Sequence, residues 1–334
     1  MENSQPVSSS LYVYTPDKGA PIFFAAAFAI SALGHIFQCF HHQSWRLMGL
    51  YAISAIILTA GYAFRSYGAF FYSITSHGLA LYTLSQLLIH ISPPLHALAN
   101  YYVLSRVFGY IPHLAPFSSR KILAVCGGIT AFIELLCILG VALAADRTSP
   151  PDQQSAGKGL IIAAVALQLT VIVFFYILSG YFRRQITMDK ITSPAAITPM
   201  VVLYISTLLL LIRGAYRLVD AIADTYTHRD DFGFVQESSP MMRYEWIFYV
   251  FEATLILANS AIWNIWHPGR YLPKDHQTHL APDGKTEVQG VEQPDHRSMA
   301  TKVGHILTFG AFFGRKDGPL DGEGEAIALN EMAR

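Results

Sequence analysis

Seven runs of about 20 predominantly apolar residues constrain this chain more than any other feature, because each is long enough to cross the hydrocarbon core of a bilayer as a helix. They are Ala20–Phe40, Leu47–Phe64, Leu79–Leu104, Ile122–Ala144, Leu160–Tyr181, Pro199–Val219 and Glu245–Trp266. With no water in that core, a crossing segment satisfies its backbone as a helix or within a closed barrel. Stretches alternating apolar and polar residues are absent, which excludes the barrel. Composition agrees: 52% of residues are hydrophobic and 14% charged, against about 25% charged in soluble domains. The sequence therefore reads as an all-α polytopic membrane protein. A seven-transmembrane helix bundle occupies 20–266, between an extracellular segment 1–19 and a cytosolic, largely disordered tail 267–334.

The basic residues set the expected orientation. With the N-terminus outside, the inner loops hold Arg46, Arg106, Arg120, Lys121, Arg183, Arg184 and Lys190, and the tail adds eight more Lys and Arg. The outer segments hold Lys18, Arg65, Arg147, Lys158, Arg217, Arg229 and Arg243. The N-terminus is thus expected outside and the C-terminus in the cytosol, with the plasma membrane as the expected location. Glu2 and Asp17 precede Lys18, unlike the basic start of a signal peptide, so the first run is expected to be a retained span. The tail run Val303–Phe313 is too short to span and suits an interfacial segment or a sticky patch.

Several functions are excluded. The 23 basic residues balance the 23 acidic ones, so nothing points to nucleic acid as a partner. Cys39, Cys126 and Cys137 lie in or beside apolar runs without metal-ligand spacing. All eight lysines lie outside the runs, which removes a retinal Schiff base. Span three ends Leu104-Ser105-Arg106 and span seven has no Asn-Pro pair, so common marks of G-protein-coupled receptors are missing. No phosphate-binding loop ending in Gly-Lys-Ser/Thr occurs, hence no ATP motor, and no repeat suggests an inverted-repeat transporter.

Ionisable groups inside a span are costly and by default mark a site or pathway. In span six Arg213, Arg217 and Asp220 follow an i, i+4, i+7 interval, with Tyr216 and Asp224 alongside. In span seven Glu245, Tyr249 and Glu252 repeat that interval. The two stripes are expected to pair. One reading is an outward-opening polar cavity in which Arg213 holds an anionic head group and Glu252 a cationic one. The other is an internal salt-bridge lock without chemistry. Glu134 in span four has no base near it in sequence and must be neutral, paired across helices or facing water.

Span three carries Gln86, His90, Pro93, Pro94, His96 and Asn100, and its double proline is expected to kink or break the helix. His35 lies in span one. Histidines in apolar spans can ligate haem or a metal, but no spacing picks out two of them. Interhelical hydrogen bonding is the better account for His35, His90, Gln168, Asn259 and Asn264. No metal or other cofactor is expected; only haem or a porphyrin finds candidate ligands. The pairs His41-His42 and His276-x-x-His279 are expected to be solvated.

The punctuation of the chain from Tyr14 to about Leu272 resembles the fungal lipid-translocating exporter family of the resistance-to-aminocholesterol, or RTA-like, type. The resemblance rests on Tyr14-Thr15-Pro16, His35, Gly61-Tyr62-Ala63-Phe64-Arg65, Pro93/Pro94 with Tyr102 and Arg106, and Gly159 with Gln168. It continues through Arg213-Gly214-Ala215-Tyr216-Arg217 with Asp220, then Glu237, Tyr244-Glu245, Glu252 and His267-Pro268-Gly269. It implies a seven-span fungal protein linked to lipid export and to resistance against sphingoid bases, sterol-like toxicants or porphyrins. The chain departs from the pattern at Leu58, where an acid is usual, at Thr130 and Cys137, where Asp and Gln are usual, and at Asp220, where Glu is usual. Glu134 stands one turn beyond the usual span-four acid. A specialised member, for example in a secondary-metabolite pathway, fits these departures.

Together these readings favour a translocator of amphiphilic lipids or lipid-like toxic compounds, with a lipid or amphiphile as partner, over two alternatives. One is a lipid or stress sensor signalling through the tail. The other is an intramembrane enzyme using Glu134 or Glu252 as acid or base, although no reaction is indicated.

Overall fold

A computed structural model describes residues 17–70, 76–145, 150–226, 245–275, 278–281, 284 and 286–289, except for the side chains of 76–79, 82, 120, 145 and 224–226. Each of the first six apolar runs lies inside a longer helix, and the seventh coincides with a rod that starts at Glu245 and ends at Ile265. The helices are α1 (Gly19–His42), α2 (Trp45–Phe70), α3 (Ser76–Tyr110), α4 (Ser119–Ala145), α5 (Pro151–Met188) and α6 (Pro194–Tyr226). The last rod is composite: α7 (Glu245–Phe248), a π-helical segment (Tyr249–Thr254) and α8 (Leu255–Ile265).

Local chemistry fixes several ends. Asp17 Oδ1 accepts from the amides of Gly19 and Ala20 at 2.7 and 2.9 Å, satisfying donors that open α1. Pro151 occupies the first turn of α5, where a missing amide costs nothing. At the other end of α5, Ile191 N donates to Ile186 O and Lys190 N to Thr187 O, the double bond of a Schellman turn.

Each helix packs on its neighbours in chain order, α8 closes the ring against α1 and α6, and α3 also reaches across to α6. The outer faces are apolar: Phe23, Ile30, Leu33 and Phe37 of α1 are each more than 60% exposed. A water-facing surface would not carry such a stripe, whereas lipid requires it. Exposed Trp45 and Trp266 sit at one end of the bundle, and exposed Trp246, Tyr67 and Phe70 at the other, as interfacial aromatic belts do. Among the described residues, six segments are long and apolar enough to cross a membrane: α1, α2, Lys121–Ala144, α5, Pro194–Ala223 and Glu245–Arg270. The chain is an integral membrane protein.

α3 is not among those six, because its polar residues dilute its hydropathy. It is nevertheless 35 residues long, and its Ser85, Ser92, His96 and Asn100 are covered by protein rather than left to lipid. Of the kink or break expected at Pro93-Pro94, the break does not occur: both prolines lie inside one continuous helix. Ser54 of α2 bonds the His96 ring at 2.9 Å and the Ser92 carbonyl at 3.3 Å, while Ser92 donates to Leu88 O at 3.2 Å. Hydroxyls from the same and the neighbouring helix thus bond the Leu88 and Ser92 carbonyls beside the prolines and tie α3 to α2.

α4 and α5 meet at two glycines. A Cβ on Gly157 would lie 2.6 Å from Ala144 N and 2.8 Å from Gly140 O, both backbone atoms. Gly157→Ala should therefore force the helices apart and cost about 1–3 kcal/mol, read as a lowered thermal midpoint in detergent. Gly128→Ala, with nothing within 4 Å of the added carbon, should be neutral or gain about 0.5–1 kcal/mol of helix propensity.

The start of the tail is ordered. Pro268–Arg270 form a 3-10 turn, and Thr278–Leu280 pair antiparallel with Glu287–Gln289. Arg106 at the end of α3 donates to the carbonyls of Pro273 and Asp275, and Tyr110 donates to Glu287 at 2.8 Å. This small hairpin is an addition to the all-α expectation. Residues 290–334, with the Val303–Phe313 run, lie outside the described residues.

Candidate functional site

Two ion pairs, one buried and one part-buried, occupy the half of the bundle towards the start of α7. Arg213 of α6 donates from Nε to Glu252 Oε1 at 3.0 Å and from Nη2 to the same oxygen. Both residues are buried, Arg213 at 6% and Glu252 at 1% exposure. This is the pairing expected from the two stripes. Glu252 lies in the π-helical segment, a widened turn that often marks functional sites. Its Oε2 has no hydrogen-bond partner among the described residues, and neither has the Tyr62 hydroxyl. That hydroxyl lies within electrostatic reach of Glu252, Arg65, Tyr249 and Arg213. The centre therefore holds both signs of charge together with unused donor and acceptor capacity, all in an apolar surround.

The remainder of the stripe pairing needs correction. Glu245 is bound not by α6 but by Arg65 of α2, at 2.9 Å. Arg65 Nε also donates to Tyr249 at 3.2 Å, Tyr249 donates to Glu245 at 3.0 Å, and the Asp17 amide donates to Glu245 Oε2 at 2.7 Å. The Arg65 guanidinium lies 4.5 Å from the centre of the Phe248 ring, a cation–π contact. Arg217 pairs with Asp220 on its own helix at 2.8 Å. The π turn explains the difference. An i, i+7 interval shares one face only at 3.6 residues per turn, and a wider turn between Glu245 and Glu252 points them at different neighbours. Arg65, read as an outer-loop cation, was thus missed as a site residue; its place in Gly61-Tyr62-Ala63-Phe64-Arg65 was the available signal.

Tyr216 is buried and stacks on Phe251 at 5.6 Å. Glu134 pairs across helices, receiving a bond from Gln168 Nε2 of α5 at 3.3 Å, and feels the Arg213 charge. The Asp224 side chain lies outside the described residues.

The histidines do not converge. His35 Nε2 bonds Ser260 Oγ at 3.0 Å on the α1–α8 contact, whereas His90 Nδ1 bonds the Gln86 carbonyl of its own helix at 2.6 Å. No group of three metal-type ligands exists among the described residues. His41 is exposed as expected, but His42 stacks on buried His267 at 5.2 Å, so that pair is not simply solvated. His276 lies outside the described residues.

Below the ion pairs a neutral polar network crosses the bundle. Tyr51 donates to Asn100 Oδ1 at 2.8 Å, Asn100 and Ser206 exchange bonds at 2.8 and 3.1 Å, and Trp263 Nε1 donates to Ser206 at 3.0 Å. Asn264 bonds Ser31 across α8 and α1, the interhelical role expected of it. Asn259 faces the Tyr51 hydroxyl, yet neither of its amide atoms has a well-formed bond among the described residues. Single Tyr, Ser and Trp residues in apolar runs gave no sequence signal for this network.

Comparison with known proteins bears out the resemblance read from the sequence. The family model described as RTA1 like protein matches residues 51–275. The lipid-translocating exporter-like protein RTA1 of Leptosphaeria maculans is 41% identical over 315 residues. That is 92% of this chain, and the chain spans 60% of the length of that relative. A protein of the same name from Ajellomyces capsulatus is 26% identical over 249 residues, 71% of this chain and 74% of the relative. No solved structure matches the chain. With a matched region that takes in Arg65, Glu134, Arg213, Glu245 and Glu252, the chain belongs to the RTA1-like family.

Proposed function

We propose that this protein moves amphiphiles with charged head groups between the leaflets of a membrane, as a seven-span bundle with its N-terminus outside and C-terminus in the cytosol. The observation that carries the reading is the buried Arg213–Glu252 pair, with Glu252 Oε2 and the Tyr62 hydroxyl still able to bond. A charged head group does not cross hydrocarbon unaided, and counter-charges inside the bundle lower that barrier. A cationic amine would engage Glu252 and an anionic group Arg213, while the acyl tail stays in lipid against the exposed outer faces. The second pair, Arg65–Glu245, stands where the path meets the outer surface. Tyr216, Arg217, Asp220 and Tyr249 would line the way between them. Glu134 stands to one side, on α4, within the field of Arg213. The names of the relatives, lipid-translocating exporter-like proteins, support this class. Export of sphingoid bases or sterol-like toxicants across the plasma membrane, and the resulting resistance, is the physiological form of the proposal.

The crossing by α3 draws on its ends. Its C-terminal Arg106 and Tyr110 meet the tail that follows α8, and Tyr110 also meets Ser193 between α5 and α6. These contacts support an end of α3 beside the inner turns, as an up-and-down bundle of seven requires.

The test is movement of a labelled sphingoid base in liposomes containing the purified protein. Glu252→Gln should slow the cationic base about tenfold or more, since a charge-assisted bond is lost. A zwitterionic phospholipid should be slowed far less. Equal rates for wild type, variant and empty liposomes with both lipids would overturn the reading. A sensor reading gains from the docked tail: loss of a lipid response on deleting residues 276–334, with lipid binding intact, would favour it.

A further inference from the structure

We infer that the inner end of the α5–α6 hairpin holds the phosphate of an anionic phospholipid between Arg183 and Lys190. A pocket of about 230 Å3 opens there, lined by both cations, by Thr187 and Thr192, and by an apolar floor that includes Ile186 and Met200. No ion pair joins Arg183 or Lys190 to an acid among the described residues. Each cation is held in place by something other than a counter-charge. Arg183 lies over the Tyr204 ring, 5.6 Å from its centre, and that ring packs flat on Tyr176 at 4.3 Å. Lys190 sits at the turn closing α5 with φ +54°, a left-handed conformation that favours glycine. A lysine kept where glycine fits better points to a task for its charge.

The surroundings choose the ligand. Two cations beside the Thr192 hydroxyl suit a phosphate, which accepts several bonds at once. Ile177, Tyr181, Ile197 and Ile205 expose apolar surface on the same two helices, a track for acyl chains. Basic pockets between spanning helices at the cytoplasmic level recognise anionic head groups in this manner. The site lies at the opposite end of α6 from Arg213 and does not depend on the translocation path.

Native mass spectrometry of the full chain, with equimolar phosphatidic acid and phosphatidylcholine, tests the inference. Phosphatidic acid should be retained preferentially. Arg183→Gln and Lys190→Gly should each weaken that retention about fivefold. Lys190→Gly also relieves the backbone, so a loss of lipid with the thermal midpoint held or raised separates binding from folding. Arg184→Gln, which removes the same charge from an exposed position outside the pocket, should leave retention unchanged. Equal retention of both lipids, or an equal loss in Arg184→Gln, would overturn the site. Displacement of the lipid by millimolar inorganic phosphate would assign the pocket to a soluble phosphate and overturn the lipid assignment.

Discussion

Liposomes carrying Arg213→Ala should move a labelled sphingoid base no faster than empty liposomes, and the variant should lose about 3–5 kcal/mol of stability, because removing one partner leaves the other charge buried and unpaired. The two losses have different origins. The stability loss is electrostatic: Glu252 is 1% exposed and its carboxylate is bonded by Arg213. The transport loss, on the proposed path, comes from removing the cation that an anionic group or the partnered carboxylate needs. A second variant separates them. Replacing both members, as in Arg213→Met with Glu252→Met, removes the pair without stranding a charge, and exchanges of this kind are often neutral or stabilising by 1–4 kcal/mol. The double variant should regain most of the thermal midpoint yet remain unable to move the base. If movement returned with stability, the pair would be a lock that holds α6 to the last rod and nothing more.

How far the sequence reached depended on what kind of interaction was involved. Seven apolar runs located the helices, because span length is a property of composition along the chain. The Arg213–Glu252 pair was readable for a related reason: two intramembrane charges of opposite sign on adjacent spans have few other partners. Glu245 and Arg65 were not paired in advance, because the π segment Tyr249–Thr254 changes which way Glu245 points, and nothing in Tyr249–Thr254 announces a widened turn. The prolines of α3 misled in the opposite direction. Pro93-Pro94 reads as a kink or break, yet the helix runs through unbroken, tied beside the prolines by bonds from Ser92 and from Ser54, which lies on another helix. The ordered start of the tail was hidden for the same reason. A three-residue strand has no signal of its own, and Thr278–Leu280 is held by packing on α3.

Trp263→Ala should be the most damaging substitution away from the charges, costing about 3–5 kcal/mol. Trp263 is fully buried and the largest such side chain in the bundle, with its ring 5.9 Å from Tyr51. Lipid cannot refill a cavity sealed by α2, α6 and α8, so the packing contacts are lost outright. A smaller loss follows from the indole N–H. Ser206 accepts that bond while exchanging two with Asn100, so Trp263→Phe keeps most of the volume but removes one donor from the network. Hydrogen bonds between spanning helices average about 0.6 kcal/mol, with a ceiling of about 1.7. Trp263→Phe should therefore cost about 1–2 kcal/mol, divided between that bond and the smaller ring. The cycle of Trp263→Phe with Ser206→Ala isolates the bond, since the two changes share it and little else. A coupling of about 1 kcal/mol, read from unfolding midpoints in mixed detergent, would make the network a clamp joining α2, α3, α6 and α8 beneath the ion pairs. Zero coupling, with the full loss retained in Trp263→Ala, would leave ring packing as the whole contribution.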